Sequence, residues 1–89
     1  MEVQYRKAFL KDLKRLKRQA VYYRVFDLAF TVLPEVHNLQ EITNVKAMKG
    51  HPGRYRIRVG AYRIGIKVAE NSIELMRVLH RKEFYRYFP

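Results

Sequence analysis

The stretch from Tyr55 to Lys67, YRIRVGAYRIGIK, decides the fold. Tyr55, Ile57 and Val59 alternate with Arg56 and Arg58, and Tyr62, Ile64 and Ile66 alternate with Arg63, Gly65 and Lys67. Successive side chains of a strand point to opposite sides, so this period of two places one face on a core and the other in water. Gly60 and Ala61 between the two runs supply a tight turn, and the whole reads as a β-hairpin. Its outer face is a row of guanidinium groups, beside which Gly65 leaves a shallow space. From Ile42 to Ala69 there is no Asp or Glu, whereas Lys46, Lys49, Arg54, Arg56, Arg58, Arg63 and Lys67 all fall inside. A basic sheet of this kind suits phosphates.

Downstream, Glu70, Asn71 and Ser72 form a turn, and IELMRVL from Ile73 to Leu79 is a strand more continuously apolar than its neighbours. That pattern predicts a central position with helices over one face. The chain closes with HRKEFYRYFP, where Phe84, Tyr85 and Tyr87 interleave with Arg81, Lys82 and Arg86, and Phe88 follows. Some of these rings must join the core, with Tyr87 and Phe88 the stronger packing candidates, and others are free to lie on bases.

Upstream, residues 35–53 carry weak periodicity and many turn formers, and read as a connector with at most one short turn of helix or strand. His37 and His51 in it are isolated and match no metal-ligand spacing. Before it, Phe9, Leu13, Leu16 and Ala20 recur at helical spacing, as do Val21, Val25, Leu28, Ala29 and Val32, with a break near Arg18 and Gln19 and a stop at Pro34. Val3 and Tyr5 around Gln4 suggest a first strand. The expectation is an α+β fold in the order β-α-α-β-β-β, an antiparallel-rich sheet packed against an N-terminal αα-hairpin.

At 89 residues the chain has room for one domain, 1–89, and one modest core. Its apolar fraction of 48% is that of a globular protein, so the net charge of +11, from 19 Lys and Arg against 8 Asp and Glu, points to an acidic partner rather than to disorder. The absence of cysteine excludes disulfides and thiolate metal sites. MEVQYRKAF does not resemble a signal peptide, and no run approaches the roughly 20 apolar residues of a membrane span. Cytoplasm is the expected location, with no membrane partner.

With this element order, the block MKGHPGRYRIRVGAYRIGIKV and the ending VLHRKEFYRYF, the chain resembles the RelE/ParE superfamily of toxins from bacterial toxin-antitoxin systems. The resemblance covers nearly the whole length. Its RelE-like branch implies an endoribonuclease that enters the ribosomal 30S A site and cuts mRNA there without a metal or other cofactor. In that reaction the ribose 2′-oxygen attacks the adjacent phosphorus and leaves a 2′,3′-cyclic phosphate and a 5′-hydroxyl. Arg63 and Arg81 match the family's functional arginines, and Tyr85 matches its C-terminal tyrosine. Arg56 and Arg58 stand where well-known members carry lysines, one of them implicated as base. Arginine, with a pKa above about 12, is a poor proton acceptor near neutrality. His80 is the candidate replacement base, since imidazole exchanges protons near pH 7; a structural, hydrogen-bonded histidine is the competing reading.

Lys49, Arg54, Lys67, Lys82 and Tyr87 are expected to contact RNA around these catalytic candidates, and the basic helices to touch ribosomal RNA. The resemblance also implies a cognate antitoxin with an acidic wrapping segment, in a complex able to bind operator DNA. Two alternatives stay open: a ParE-like inhibitor of DNA gyrase, and a basic binding module that does not cleave.

Overall fold

The computed structural model describes residues 1–89. Strands β1 (Glu2–Tyr5), β2 (Val45–Ala47), β3 (Arg54–Val59), β4 (Tyr62–Ala69) and β5 (Ser72–His80) form one five-stranded sheet in the order β1-β5-β4-β3-β2. The expected hairpin is β3–β4, with Ile57 opposite Ile64 and Arg58 opposite Arg63. Gly60, at φ 59°, takes the left-handed conformation that its turn requires. All pairings are antiparallel except β1 with β5, which run parallel.

The apolar run of β5 follows from its place between β1 and β4, where Ile73, Leu75 and Val78 are buried. These three do not keep a strict period of two. Gly65 faces Arg77 and Ile66 faces Leu75, so Met76 is an extra residue in β5, and this bulge returns Val78 to the core side.

Helix α1 (Lys7–Arg15) buries Phe9 and Leu13 over the sheet and ends in a tight turn at Leu16, whose N–H bonds to the Leu13 carbonyl. The expected stripe stops there, because Ala20 falls in the exposed turn before the second helix. Helix α2 spans residues 22–35. Tyr22–Asp27 is α-helical, Leu28–Val32 widens to π-helix, and Leu33–Glu35 returns to α geometry. Pro34 lies inside this last turn instead of just beyond it. A proline ring clashes with the carbonyl four residues earlier and supplies no N–H, which gives a physical reason for the wider turn ahead of it. The Tyr5 hydroxyl donates to the Ala29 carbonyl at 2.8 Å, tying β1 to that widened segment; partial burial pushes the Tyr5 pKa up.

The connector holds more structure than its sequence suggested. A 3₁₀ turn at Leu39–Glu41 carries a capping box in which the Asn38 side chain accepts from Gln40 N–H and the Glu41 carboxylate accepts from the N–H groups of His37 and Asn38. Strand β2 follows, three residues paired to β3. So short a strand cannot display periodicity. The C-terminal residues Arg81–Tyr87 form helix α3, which packs on β4 and β5 on the opposite side from α1 and α2. The core lies between the αα-hairpin and the sheet, where Phe9, Val25, Ala29, Leu33, Ile64, Ile66, Ile73 and Leu75 are inaccessible to water.

Candidate nucleic-acid interface

The basic face of the sheet is organised in rows across the strands. Lys46 of β2, Arg56 of β3, Gly65 of β4 and Arg77 of β5 are consecutive partners and form one row. Arg58 and Arg63 form the row on the side of the β3–β4 turn, and Arg54, Lys67 and Glu74 the row on the other side. Lys67, opposite Glu74, therefore has an acidic neighbour in the strand pair.

The shallow space expected beside Gly65 is filled. A Cβ at this position would stand 2.7 Å from the ring of Phe88, so the ring lies directly on the glycine backbone. Phe84 and Phe88, 5.2 Å apart between ring centres, are both buried and anchor α3 to the sheet. With these two rings packed down, Tyr85 is turned outward at 59% exposure.

What remains open on this face is a hollow of about 370 Å³ beside α3, lined by Lys46, Lys49, His51, Arg56 and Tyr85 and closed at one side by Phe88. Its lining, which also includes Pro89, has no Asp or Glu side chain. Three permanent or near-permanent cations and an exposed aromatic ring are the equipment for a phosphodiester and its base: the cations neutralise phosphate oxygens, and the ring offers a stacking surface.

Of the expected catalytic residues, Arg56 and Tyr85 meet in this hollow. Arg58, Arg63, His80 and Arg81 gather instead around the β3–β4 turn. Arg58, one strand repeat or about 7 Å along β3 from Arg56, donates to the Asn44 side chain at 3.2 Å. It borders a separate hollow of about 270 Å³ with Arg24 and Asp27. Arg63 folds back on the turn and donates to the carbonyls of Gly60 and Tyr62 at 3.0 and 2.9 Å. Arg81 opens α3, and its N–H bonds to the Ala61 carbonyl at 2.8 Å. His80 is the N-cap of α3. Its Nδ1 accepts from the Lys82 N–H at 3.1 Å, and its ring stands edge-on to Tyr62.

Among the expected RNA contacts, Lys49 joins the hollow and Arg54 stands on the neighbouring loop surface with His51. Lys82 is exposed on α3. Tyr87 is half exposed and lies against the Arg77 guanidinium, 5.4 Å from the ring centre. Lys46 belongs to the hollow through its pairing with Arg56, a contact set by β2 and invisible before β2 was placed.

One acidic residue at the edge of this face has a structural task that sequence reasoning missed. Asp12 of α1 is 3% exposed and accepts from Arg77 Nε at 2.7 Å, Arg77 Nη2 at 3.1 Å and the Val78 backbone N–H at 3.1 Å. β1 pairs with β5 only as far as Leu75, so Asp12 supplies the acceptor that a longer strand would have given. The Asp12 hydrogen bond raises the Arg77 pKa above its ordinary value. A chain of contacts thus runs from α1 through Asp12 and Arg77 to Tyr87 on α3. The signal available was the single acid among the basic residues of α1.

The fold and this basic hollow define a small cationic protein of the RelE/ParE toxin class. The family model described as ParE toxin of the type II toxin-antitoxin system parDE matches residues 3–85, and the chain belongs to that family. It is 40% identical over 93 aligned positions to Toxin RelE3 of Methanocaldococcus jannaschii, with all of both chains covered. The crystal structure of a RelB-RelE antitoxin-toxin complex from Methanococcus jannaschii contains a similar chain at 40% identity and a TM-score of 0.80, covering 97% of this chain and 99% of that one. The toxin-antitoxin complex RelBE2 from Mycobacterium tuberculosis shares the fold at 21% identity, with a TM-score of 0.68 and coverage of 90% and 96%.

Proposed function

We propose that this protein is a ribosome-dependent endoribonuclease that cuts mRNA in the A site and is held in check by a cognate antitoxin. The observation that carries the reading is the hollow, lined by no Asp or Glu, in which Lys46, Lys49, Arg56 and Tyr85 converge on one open surface. Cleavage by attack of the ribose 2′-oxygen builds negative charge on the phosphoryl oxygens, and fixed guanidinium and ammonium groups stabilise that charge more than they stabilise the starting diester. Arg56 is assigned this contact and Tyr85 the stacking of the adjoining base. Arg58, Arg63 and Arg81 extend the same face toward the turn and hold flanking phosphates, which fixes the strand without reading its sequence. Lys67, Arg54 and Lys82 form the periphery of that track. The ribosome supplies the remaining alignment of the messenger, a contribution worth several powers of ten in rate when the reacting atoms are held in line.

The similar RelE chain was solved with RelB, which supports an antitoxin for this chain as well. A net charge of +11 favours a partner whose wrapping segment is acidic.

The test is incubation of the purified protein with a defined messenger, with and without programmed ribosomes whose A site is empty, followed by mapping of the product ends. The expected result is cuts confined to the A site that leave 2′,3′-cyclic phosphate and 5′-hydroxyl ends. Intact messenger together with gyrase-linked DNA breaks would replace this reading by the gyrase-inhibitor one.

A further inference from the structure

We infer that the imidazole serving the reaction is His51, in the loop between β2 and β3, and that His80 holds the architecture of α3. The inference rests on the ribonuclease reading above.

His80 has its Nδ1 lone pair engaged by the Lys82 N–H, and protonating that nitrogen would remove the cap of α3. It stands with Arg63 and Arg81 near the turn, outside the hollow that holds Arg56 and Tyr85. His51 lines that hollow. Its ring is exposed, and no side-chain hydrogen bond occupies either ring nitrogen.

The loop that carries His51 is braced by its own backbone. Met48 N–H bonds to the Arg54 carbonyl at 2.9 Å, His51 N–H to the Met48 carbonyl at 3.1 Å, and Arg54 N–H to the His51 carbonyl at 3.0 Å. Gly50 and Gly53, at φ 79° and 80°, make the two left-handed turns this path needs. Val68 N–H donates to the Gly53 carbonyl at 2.8 Å and pins the loop to β4. A rigid loop is a suitable mount for a group that must meet a substrate atom within a fraction of an ångström.

The groups that line the hollow with His51 are Lys46 from β2, Lys49 from its own loop, Arg56 from β3, Tyr85 from α3, and Phe88 and Pro89 just beyond it, with Arg54 on the adjoining surface. Arg56 is suited to stabilising charge and not to accepting a proton, and Lys46 and Lys49 are exposed, without the burial that turns a lysine into a base, so imidazole is assigned as the base. Neutral His51 takes the proton of the ribose 2′-hydroxyl; the O2′–P bond forms as the P–O5′ bond breaks. The departing 5′-oxygen takes a proton from water, and the imidazolium returns its proton to solvent before the next turnover.

The experiment pairs kinetics with a readout that needs no cleavage. Single-turnover cutting on programmed ribosomes is measured for wild type, H51A, H51Q and H80A from about pH 5 to about pH 8. Ring signals of His37, His51 and His80 are followed by NMR while an uncuttable 2′-O-methyl trinucleotide is added to the wild-type chain. H51A and H51Q are expected to cut about 100-fold more slowly and to lose the rise of rate with pH, with free imidazole partly restoring H51A. H80A is expected to keep that rise and to lose helix stability instead. The trinucleotide is expected to shift the His51 ring signals more than those of His37 and His80. An H51A protein that cuts at the wild-type rate with its pH profile intact overturns the assignment. If the wild type cuts nothing, the ribonuclease reading falls by itself, and a His51 ring unmoved by the trinucleotide then overturns the placement of RNA in this hollow.

Discussion

On the side of the sheet covered by α1 and α2, Ile57, Ile64, Ile66, Leu75 and Val78 are at most 1% exposed. Across the same strands, Arg56 and Arg63 are half-buried and Arg58 and Lys67 are exposed. The first face is fixed by close packing, in which each apolar side chain excludes water from its neighbours. The second is a set of like charges that repel one another, held in place by strands whose other side is packed. Stability is concentrated on one face and positive charge on the other, and they meet at the edge where Asp12 grips Arg77 and Val78. A polyanion bound to the basic face would relieve repulsion that the fold tolerates in its absence.

The division can be broken from either side. Phe9→Ala removes a fully buried ring from the helix-covered core and is expected to cost about 3–5 kcal/mol, read as a fall in the urea midpoint. Asp12→Ala removes three hydrogen bonds and leaves the Arg77 charge without its partner. A buried pair broken this way costs about 3–5 kcal/mol, but the Arg77 side chain is 25% exposed and water recovers part of the loss, so about 2 kcal/mol is expected. The same variant should loosen α3, seen as faster amide exchange near Tyr87; unchanged exchange there would mean that the two faces are not coupled through Arg77. Gly65→Ala drives a methyl group into the Phe88 ring. The ring must move, at a cost of about 1–3 kcal/mol, with more chymotryptic cutting at the C-terminal end.

The smallest effect is a pH dependence away from both faces. The His37 N–H, followed by that of Asn38, holds the Glu41 carboxyl below its ordinary value of 4.5. A lowered folded-state pKa gives a stabilisation present above 4.5 and lost as pH falls through the lowered value. The protection factors of the His37 and Asn38 amides, taken against an unstructured chain at the same pH, should therefore fall on acidification below 4.5 while the sheet amides stay protected. Loss of protection in the sheet over the same window would place the acid-sensitive contact elsewhere.

The two faces also differ in how much of each the amino-acid sequence shows. The core face was legible because alternation in YRIRV and YRIGI and the helical recurrence of Phe9, Leu13, Val25 and Ala29 are local patterns, whereas past the widened turn Leu33 is buried in place of the expected Val32, which is 38% exposed. The basic face was legible as charge but not as arrangement. Arg56 and Arg58 look equivalent in sequence, yet Lys46 pairing and the fold of α3 place Arg56 in the hollow with Tyr85, while Asn44 draws Arg58 away. His51 lies 34 residues from Tyr85, and no local pattern brings them together. Phe88 on Gly65, Met76 in its bulge and Asp12 on Arg77 are tertiary choices of the same kind.

Arg56 is the residue on which both the basic face and the ribonuclease reading depend, and its replacement separates chemistry from stability. Arg56→Ala and wild type are compared for single-turnover cleavage on ribosomes with an empty A site, and for thermal midpoint on the same samples. Cleavage about 100-fold slower at a midpoint within about 2 °C of wild type is the expected result. Wild-type cleavage by the variant would contradict the assignment of the hollow as the place where the messenger is cut.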